Sequence, residues 1–270
     1  YTRRQPKCTS FTQASCNLFK RKRNSSLLKY QLTYKPFGKQ AILIEWSAKI
    51  DLEIGKDIIA YKAAIKENIS QEITDSIIGY NSLVLKYKEE LKDLEVEIAL
   101  LNTIYQKSLK TLKGTNYCWE IPVCYDQQFG LDLEDVSNKT TLTIAEIVRV
   151  HSKQVYTVYF IGFLPGFLYL GGLDTRLMLE RKANPRLRVE RGAVGIGGSQ
   201  TGIYPNESAG GWNIIGKTPI SFFDIEKEVP CFAKPGDQIQ FVPVSFKEYE
   251  MLDKQVREKI YVIQKTAIDD

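Results

Sequence analysis

Residues 160–224 read FIGFLPGFLYLGGLDTRLMLERKANPRLRVERGAVGIGGSQTGIYPNESAGGWNIIGKTPISFFD, and their texture decides the fold. Twelve of the 18 glycines in the chain fall between Gly162 and Gly216, and they alternate with Phe163, Phe167, Tyr169, Tyr204 and Trp212 rather than with Ser and Gln as in a linker. Short β-type runs separated by Gly and Pro turns predict a β-barrel or sandwich from Val155 onward, with helical periodicity nearly absent to the end of the chain. Glycine allows close backbone approach and aromatic rings supply flat walls, so the block reads either as the wall of a pocket or as the tight corners of a barrel.

Working outward, Tyr117–Val123 is strand-like, Leu131–Val136 is a short helical stretch, and Thr143 to Glu146 has the form of a capping box opening a helix that ends near His151. Further upstream, Tyr30, Leu32 and Tyr34 alternate, Pro36 to Lys39 turn, and Ala41–Trp46 returns as a second strand. Asp51 caps a helix whose apolar stripe is Ile54, Ile58, Tyr61 and Ile65, ending near Asn68. Ile73–Ile78 and Leu83–Tyr87 form a second hairpin, and a helix carrying Leu91, Leu94, Ile98, Leu101 and Tyr105 runs to Gly114. The expected organisation is an α+β protein: a basic tail at 1–27, a ββαββα domain at 28–114, and a β-barrel domain at 115–270.

The 270 residues carry a net charge of +5, but residues 1–30 contain eight basic side chains and no acidic one. Removing those eight from 37 leaves 29 basic residues against 32 acidic, so the body is about −3 and has no general attraction for nucleic-acid backbones. The tail reads as a disordered arm, a transit-type segment, or upstream or foreign sequence, the first Met being Met178. No stretch reaches the roughly 18 to 20 apolar residues of a membrane span. Cys8, Cys16, Cys118, Cys124 and Cys231 form no CxxC, so neither a zinc site nor a disulfide framework is expected, and a reducing cytoplasm fits.

Three features bear on chemistry. Gly211 to Thr218 matches the P-loop pattern GxxxxGK[ST], yet Pro219 follows and Trp212-Asn-Ile-Ile reads as strand, so the helix a P-loop needs is not expected there. Arg176, Arg181, Lys182, Arg186, Arg188 and Arg191 gather against Asp174, Glu180 and Glu190, either as a solvated face or as an anion grip. His151 is the only histidine and hence the sole imidazole for acid/base work; alternatively it packs at a helix C-terminus, where the dipole favours its protonated form.

Four segments taken together, His151–Leu170, Asn184–Val189, Gly192–Pro205 and Gly210–Pro219, resemble the KipI family, whose members are also called allophanate hydrolase subunit 1 or the B subunit of 5-oxoprolinase. The likeness continues through Lys234–Phe241. It implies a cyclophilin-like barrel after the α+β domain, and a non-autonomous subunit of an ATP- and Mg-dependent 5-oxoprolinase. The partners implied are a sister subunit of the C type and a third component. Fused relatives serve biotin-dependent urea carboxylase, and one member inhibits a sporulation histidine kinase, so a kinase regulator is the alternative. Carried onto this chain, the likeness suggests catalytic roles for His151 and Arg186, the latter holding a carboxylate or phosphate. It suggests a substrate or subunit surface from Phe163, Pro165, Phe167, Tyr169, Arg188, Gln200, Thr201, Tyr204, Gly210, Gly211 and Trp212. Glu180, Glu190, Ala193 and Ala209 depart from the family pattern, at positions expected to be turns. Prolyl isomerisation would follow from barrel shape alone.

Overall fold

In the first hairpin, β1 (Thr33–Pro36) pairs antiparallel with β2 (Ala41–Glu45) around a turn in which Gly38 takes φ +78°. The computed structural model describes residues 30–107 and 115–268; the basic tail and the helix stop expected at Gly114 lie outside them. Helix α1 (Leu52–Ile69) begins where the sequence predicts, with the Asp51 carboxylate accepting from the Glu53 and Ile54 amides. Its stripe of Ile54, Ile58, Tyr61 and Ile65 is buried against a four-stranded antiparallel sheet ordered β1-β2-β4-β3, where β3 is Ile73–Ile78 and β4 is Ser82–Tyr87. Helix α2 (Leu94–Lys107) completes the layer. One buried acid fastens the unit: Asp57 accepts from Trp46 Nε1 at 2.8 Å and from the Tyr105 hydroxyl at 2.6 Å.

The remainder is a closed barrel. Its strands are β5 (Asn116–Cys124), β6 (Val155–Ile161), β7 (Leu168–Gly171), β9 (Ala193–Gly197), β10 (Gln200–Ile203), β12 (Asn213–Lys217) and β13 (Gln238–Val244). The ring runs β12-β9-β10-β7-β6-β13-β5 and closes through the Lys217–Cys124 pair. β5 pairs in parallel with β13 over seven positions, and its first half also takes β14 (Lys265–Ile268) on the other side. Outside the ring, β8 (Arg186–Val189) and β11 (Ser208–Gly210) form a separate two-stranded flap.

Two short helices precede β6. α3 (Leu133–Thr140) and α4 (Ile144–Lys153) lay Leu133, Val136, Ile147 and Val150 into the barrel core beside Phe241. The capping box expected at Thr143 is present, with Glu146 Oε2 taking the Thr143 amide at 2.9 Å.

The expectation that helical periodicity is nearly absent after Val155 is corrected by α5 (Phe246–Arg257). Only its Tyr249 is buried, while Phe246, Leu252 and Val256, at helical spacing on the same face, are half-buried, so its apolar stripe is present but only partly covered. Its signature is the capping box: Ser245 Oγ accepts from the Glu248 amide while the Glu248 carboxylate accepts from the Ser245 amide. The departures from the family pattern also sit differently from expectation, since Ala193 opens β9 and Ala209 lies within β11 rather than in turns.

The N-terminal sheet meets the barrel through rings. Tyr80, in the β3–β4 turn, lies 5.6 Å from Tyr159, 4.7 Å from Phe160 and 5.9 Å from Tyr169, centroid to centroid. Gly55 of α1 leaves room for the Tyr159 ring, which would stand 3.2 Å from a Cβ there. Replacing Ser245 by Ala should cost about 1 kcal/mol of α5 stability, measured as faster amide exchange over Glu248–Leu252 with the barrel amides unchanged.

Candidate functional site

Strand alternation sends Leu168, Leu170, Val194, Ile196, Thr201 and Ile203 into the barrel core, leaving Tyr169, Gly171, Gly195, Gly197, Gln200 and Gly202 on its outer face. The glycines make a floor on which rings can lie. A Cβ on Gly197 would stand 2.7 Å from the Trp212 indole, and one on Gly202 would meet Trp212 at 3.0 Å and Phe167 at 3.2 Å. At Gly171 it would strike the Tyr159 ring. None of these three has positive φ, so close approach and not backbone conformation explains them.

Over this floor Phe167 packs edge-on against both Tyr204 and Trp212 at 5.5 Å and lies tilted against Tyr169 at 4.9 Å. Phe167, Tyr204 and Trp212 are themselves buried. Phe163 closes the cluster 5.5 Å from Phe167 but is 64% exposed and holds φ +64°, a conformation that non-glycine residues rarely adopt. Pro165 is exposed beside it, and Gly166 takes φ +82° to complete the turn. Gly210 lets the Tyr204 ring approach, and the Gly211 carbonyl accepts from the Lys182 amide at 2.7 Å. Gln200 is buried among these groups, and its Oε1 has no hydrogen-bond partner among the described residues.

The structure does not bring His151 or Thr201 to this face. His151 is fully buried inside the barrel, stacked on Phe241 at 4.7 Å. Thr201 Oγ1 donates to the Gly195 carbonyl at 2.9 Å, so it accepts from His151 Nε2 at 2.9 Å. That arrangement leaves Nδ1 to accept from the Tyr125 hydroxyl at 2.7 Å. Burial lowers the His151 pKa from 6.5 to about 3, so the imidazole is neutral, contrary to the dipole-favoured cation expected from its place near a helix end.

Arg186 is likewise engaged. Its guanidinium grips Asp132 in a two-bond fork at 2.7 and 2.8 Å, and Lys182 Nζ adds a third contact at 2.7 Å. The Ile214 amide donates to the same carboxylate at 2.7 Å. Burial pushes the Asp132 carboxyl up, but Arg186, Lys182 and the Ile214 amide together hold it below its ordinary value. The anion in the grip is thus the protein's own. Arg188 is exposed and paired with Glu207 at 2.7 Å. Asp132 itself was not expected from the sequence; its one local signal is its position at the start of α3 without a capping bond of its side chain.

The P-loop look-alike forms strand β12, which ends at Lys217, and no helix begins at Thr218. Lys217 Nζ is paired with Glu190 at 2.5 Å and lies 5.2 Å from the Phe129 ring centroid, so these residues do not fit a triphosphate cradle. Among the described residues no group of three or more His, Cys, Asp or Glu side chains is placed to hold a metal ion, and no helix is long and apolar enough to cross a membrane.

A closed barrel with an aromatic outer wall, joined to a small α+β sheet, defines a class. The family model for carboxyltransferase domain, subdomains C and D, matches residues 32–233. The chain belongs to the KipI family, the group of 5-oxoprolinase B subunits, as its motifs suggested. It is 33% identical to the 5-oxoprolinase B subunit of Bacillus subtilis over 239 residues, covering 82% of this chain and 96% of that protein. It resembles the solved TTHA0988 at 31% identity and TM-score 0.67, spanning 76% of this chain but 40% of that one. Urea carboxylase of Kluyveromyces lactis shares the fold at TM-score 0.75 and 20% identity, over 89% of this chain and 24% of that one.

Two measurements check the site. The single histidine should give nitrogen NMR shifts of the Nε2–H tautomer, with no protonation as pH falls to 5. Its folded pKa lies below its unfolded one, so its contribution is present above about 6.5 and is lost as pH falls from there towards about 3. Asp132→Asn should cost about 3 kcal/mol in urea unfolding at pH 7. Because the Asp132 folded pKa is depressed, its contribution is present above the ordinary carboxylate value and lost as pH falls through the folded one, so the variant should flatten the acid limb.

Proposed function

We propose that the chain is a subunit of an ATP-dependent 5-oxoprolinase complex that opens 5-oxoproline to glutamate, working with a sister barrel subunit and a third component. The observation that carries this reading is the likeness to the B subunit of 5-oxoprolinase over 96% of that protein's length. The geometry agrees with a positioning role. A lactam is a resonance-stabilised amide, and ATP supplies the activation that water alone lacks.

The contribution of this chain is the outer face of the barrel. Trp212 and Tyr169, inclined at 75° to one another, form two sides of a corner for a small ring, Gln200 orients an amide, and the buried Phe167 and Tyr204 hold that corner rigid. His151, neutral and bonded at both nitrogens inside the core, positions Thr201 and strand β10 and moves no proton at this face. Proton transfer and phosphate handling therefore fall to the partners, and the isolated chain is inactive.

Mixed with its sister subunit and the third component, the chain should support ATP hydrolysis that depends on 5-oxoproline, measured as phosphate release and glutamate formed in equal amounts. Omitting this chain should reduce the rate to background. No activity with all three present overturns the reading.

A further inference from the structure

Two buried polar atoms lack a hydrogen-bond partner among the described residues: Gln200 Oε1 and the Tyr80 hydroxyl. Each such atom costs about 1–3 kcal/mol relative to a satisfied one, and both lie on one cluster of rings. Thr201 pairs with Leu170, which places the preceding Gln200 beside Gly171, the glycine covered by the Tyr159 ring. Across the other edge Gln200 pairs with Gly197, the glycine covered by Trp212. Tyr80 packs on Tyr159 and Tyr169, and Tyr169 lies 6.4 Å from Trp212.

A cation completes the group. The Arg181 guanidinium stands 5.7 Å from the Trp212 ring centroid, is exposed, and has no carboxylate partner among the described residues. Its charge reaches the cluster: burial raises the Tyr80, Tyr169 and Tyr204 phenols, and Arg181 opposes that rise at each. Arg186, five residues on, is consumed by Asp132, so Arg181 is the arginine beside this wall that remains available for an outside anion.

Resting on the functional reading above, we propose that Gln200, Tyr80 and Arg181 form the recognition site for a small lactam bearing a carboxylate. A lactam holds its amide cis, so N–H and C=O share one edge, and a primary carboxamide offers the complementary acceptor and donor on one edge. Gln200 pairs with that edge through two hydrogen bonds, the ring lies on Trp212, the Tyr80 hydroxyl bonds the lactam oxygen, and Arg181 swings off the indole to take the carboxylate. Tyr80 comes from the N-terminal sheet, so recognition draws on both parts of the chain.

The test is equilibrium dialysis of labelled 5-oxoproline against the assembled complex without ATP, beside the KM for 5-oxoproline in the full reaction. Arg181→Gln should weaken both about tenfold or more and leave kcat within about twofold, with Arg181→Lys intermediate. In unlabelled competition, 2-pyrrolidinone, which lacks the carboxylate, and cyclopentanecarboxylate, which lacks the lactam, should each bind about tenfold weaker or worse. Gln200→Leu and Tyr80→Phe should weaken binding similarly while keeping or raising Tm, because each removes an unpaired buried atom; a structural role would lower Tm instead. Unchanged affinity and KM in Arg181→Gln and Gln200→Leu, or no binding to the complex, overturns the site. If turnover is present in that case, the functional reading stands. Conversely, Arg181-dependent binding without turnover keeps the site and removes the functional reading.

Discussion

The carboxylate of Asp132 is the contact on which the outer wall depends. It sits at the start of α3, yet its bonds go to Arg186 in the β8 flap, to Lys182 in the preceding loop and to the Ile214 amide of β12. β12 carries a register shift between Ile214 and Gly216, and Asp132 supplies partners for both polar groups of Ile214, its amide through the carboxylate and its carbonyl through the Asp132 amide. One side chain therefore ties a helix, a flap and a strand together two residues from Trp212. A charge this buried is tolerated because two cations and an amide replace its water.

That anchoring separates two arginines of identical chemistry. Arg186 and Arg181 both precede or open the β8 flap, and the motif likeness singled out Arg186, the one that Asp132 already engages. The partner that claims Arg186 lies 54 residues away, at a position that locally is simply the start of a short helix. Long-range pairings of this kind are invisible to periodicity, which reports only what a segment does with its own neighbours.

What was legible followed the same rule. Asp51 and Thr143 announce α1 and α4, since a cap is a contact within a few residues, and the apolar stripe of α1 points to its own core. The glycine and aromatic alternation pointed to a barrel or sandwich, while leaving open whether it marked a pocket wall or tight corners; the indole lying on Gly197 and Gly202 shows close approach of ring to strand. α5 escaped although both local signals stand in the sequence, the Ser245–Glu248 cap and Phe246, Tyr249, Leu252 and Val256 at helical spacing. His151 was ambiguous because its position near a helix end says nothing of Phe241 in β13, Thr201 in β10 and Tyr125 just after β5, which enclose it.

Strand β5 carries a consequence in time. It is the first barrel strand to be made, but all of its ladder partners, β12, β13 and β14, begin at Asn213 or later. As the polypeptide is synthesised, β5 must wait with unpaired amides for roughly another hundred residues, whereas the β1–β4 sheet and α1 can assemble from near neighbours. The small sheet is thus the early-folding unit, and the barrel closes late and in one piece when β13 arrives beside β5. The Tyr80 ring rests on Tyr159, Phe160 and Tyr169, so the strands it needs, β6 and β7, are already made before β13, and the two parts can meet before the barrel closes.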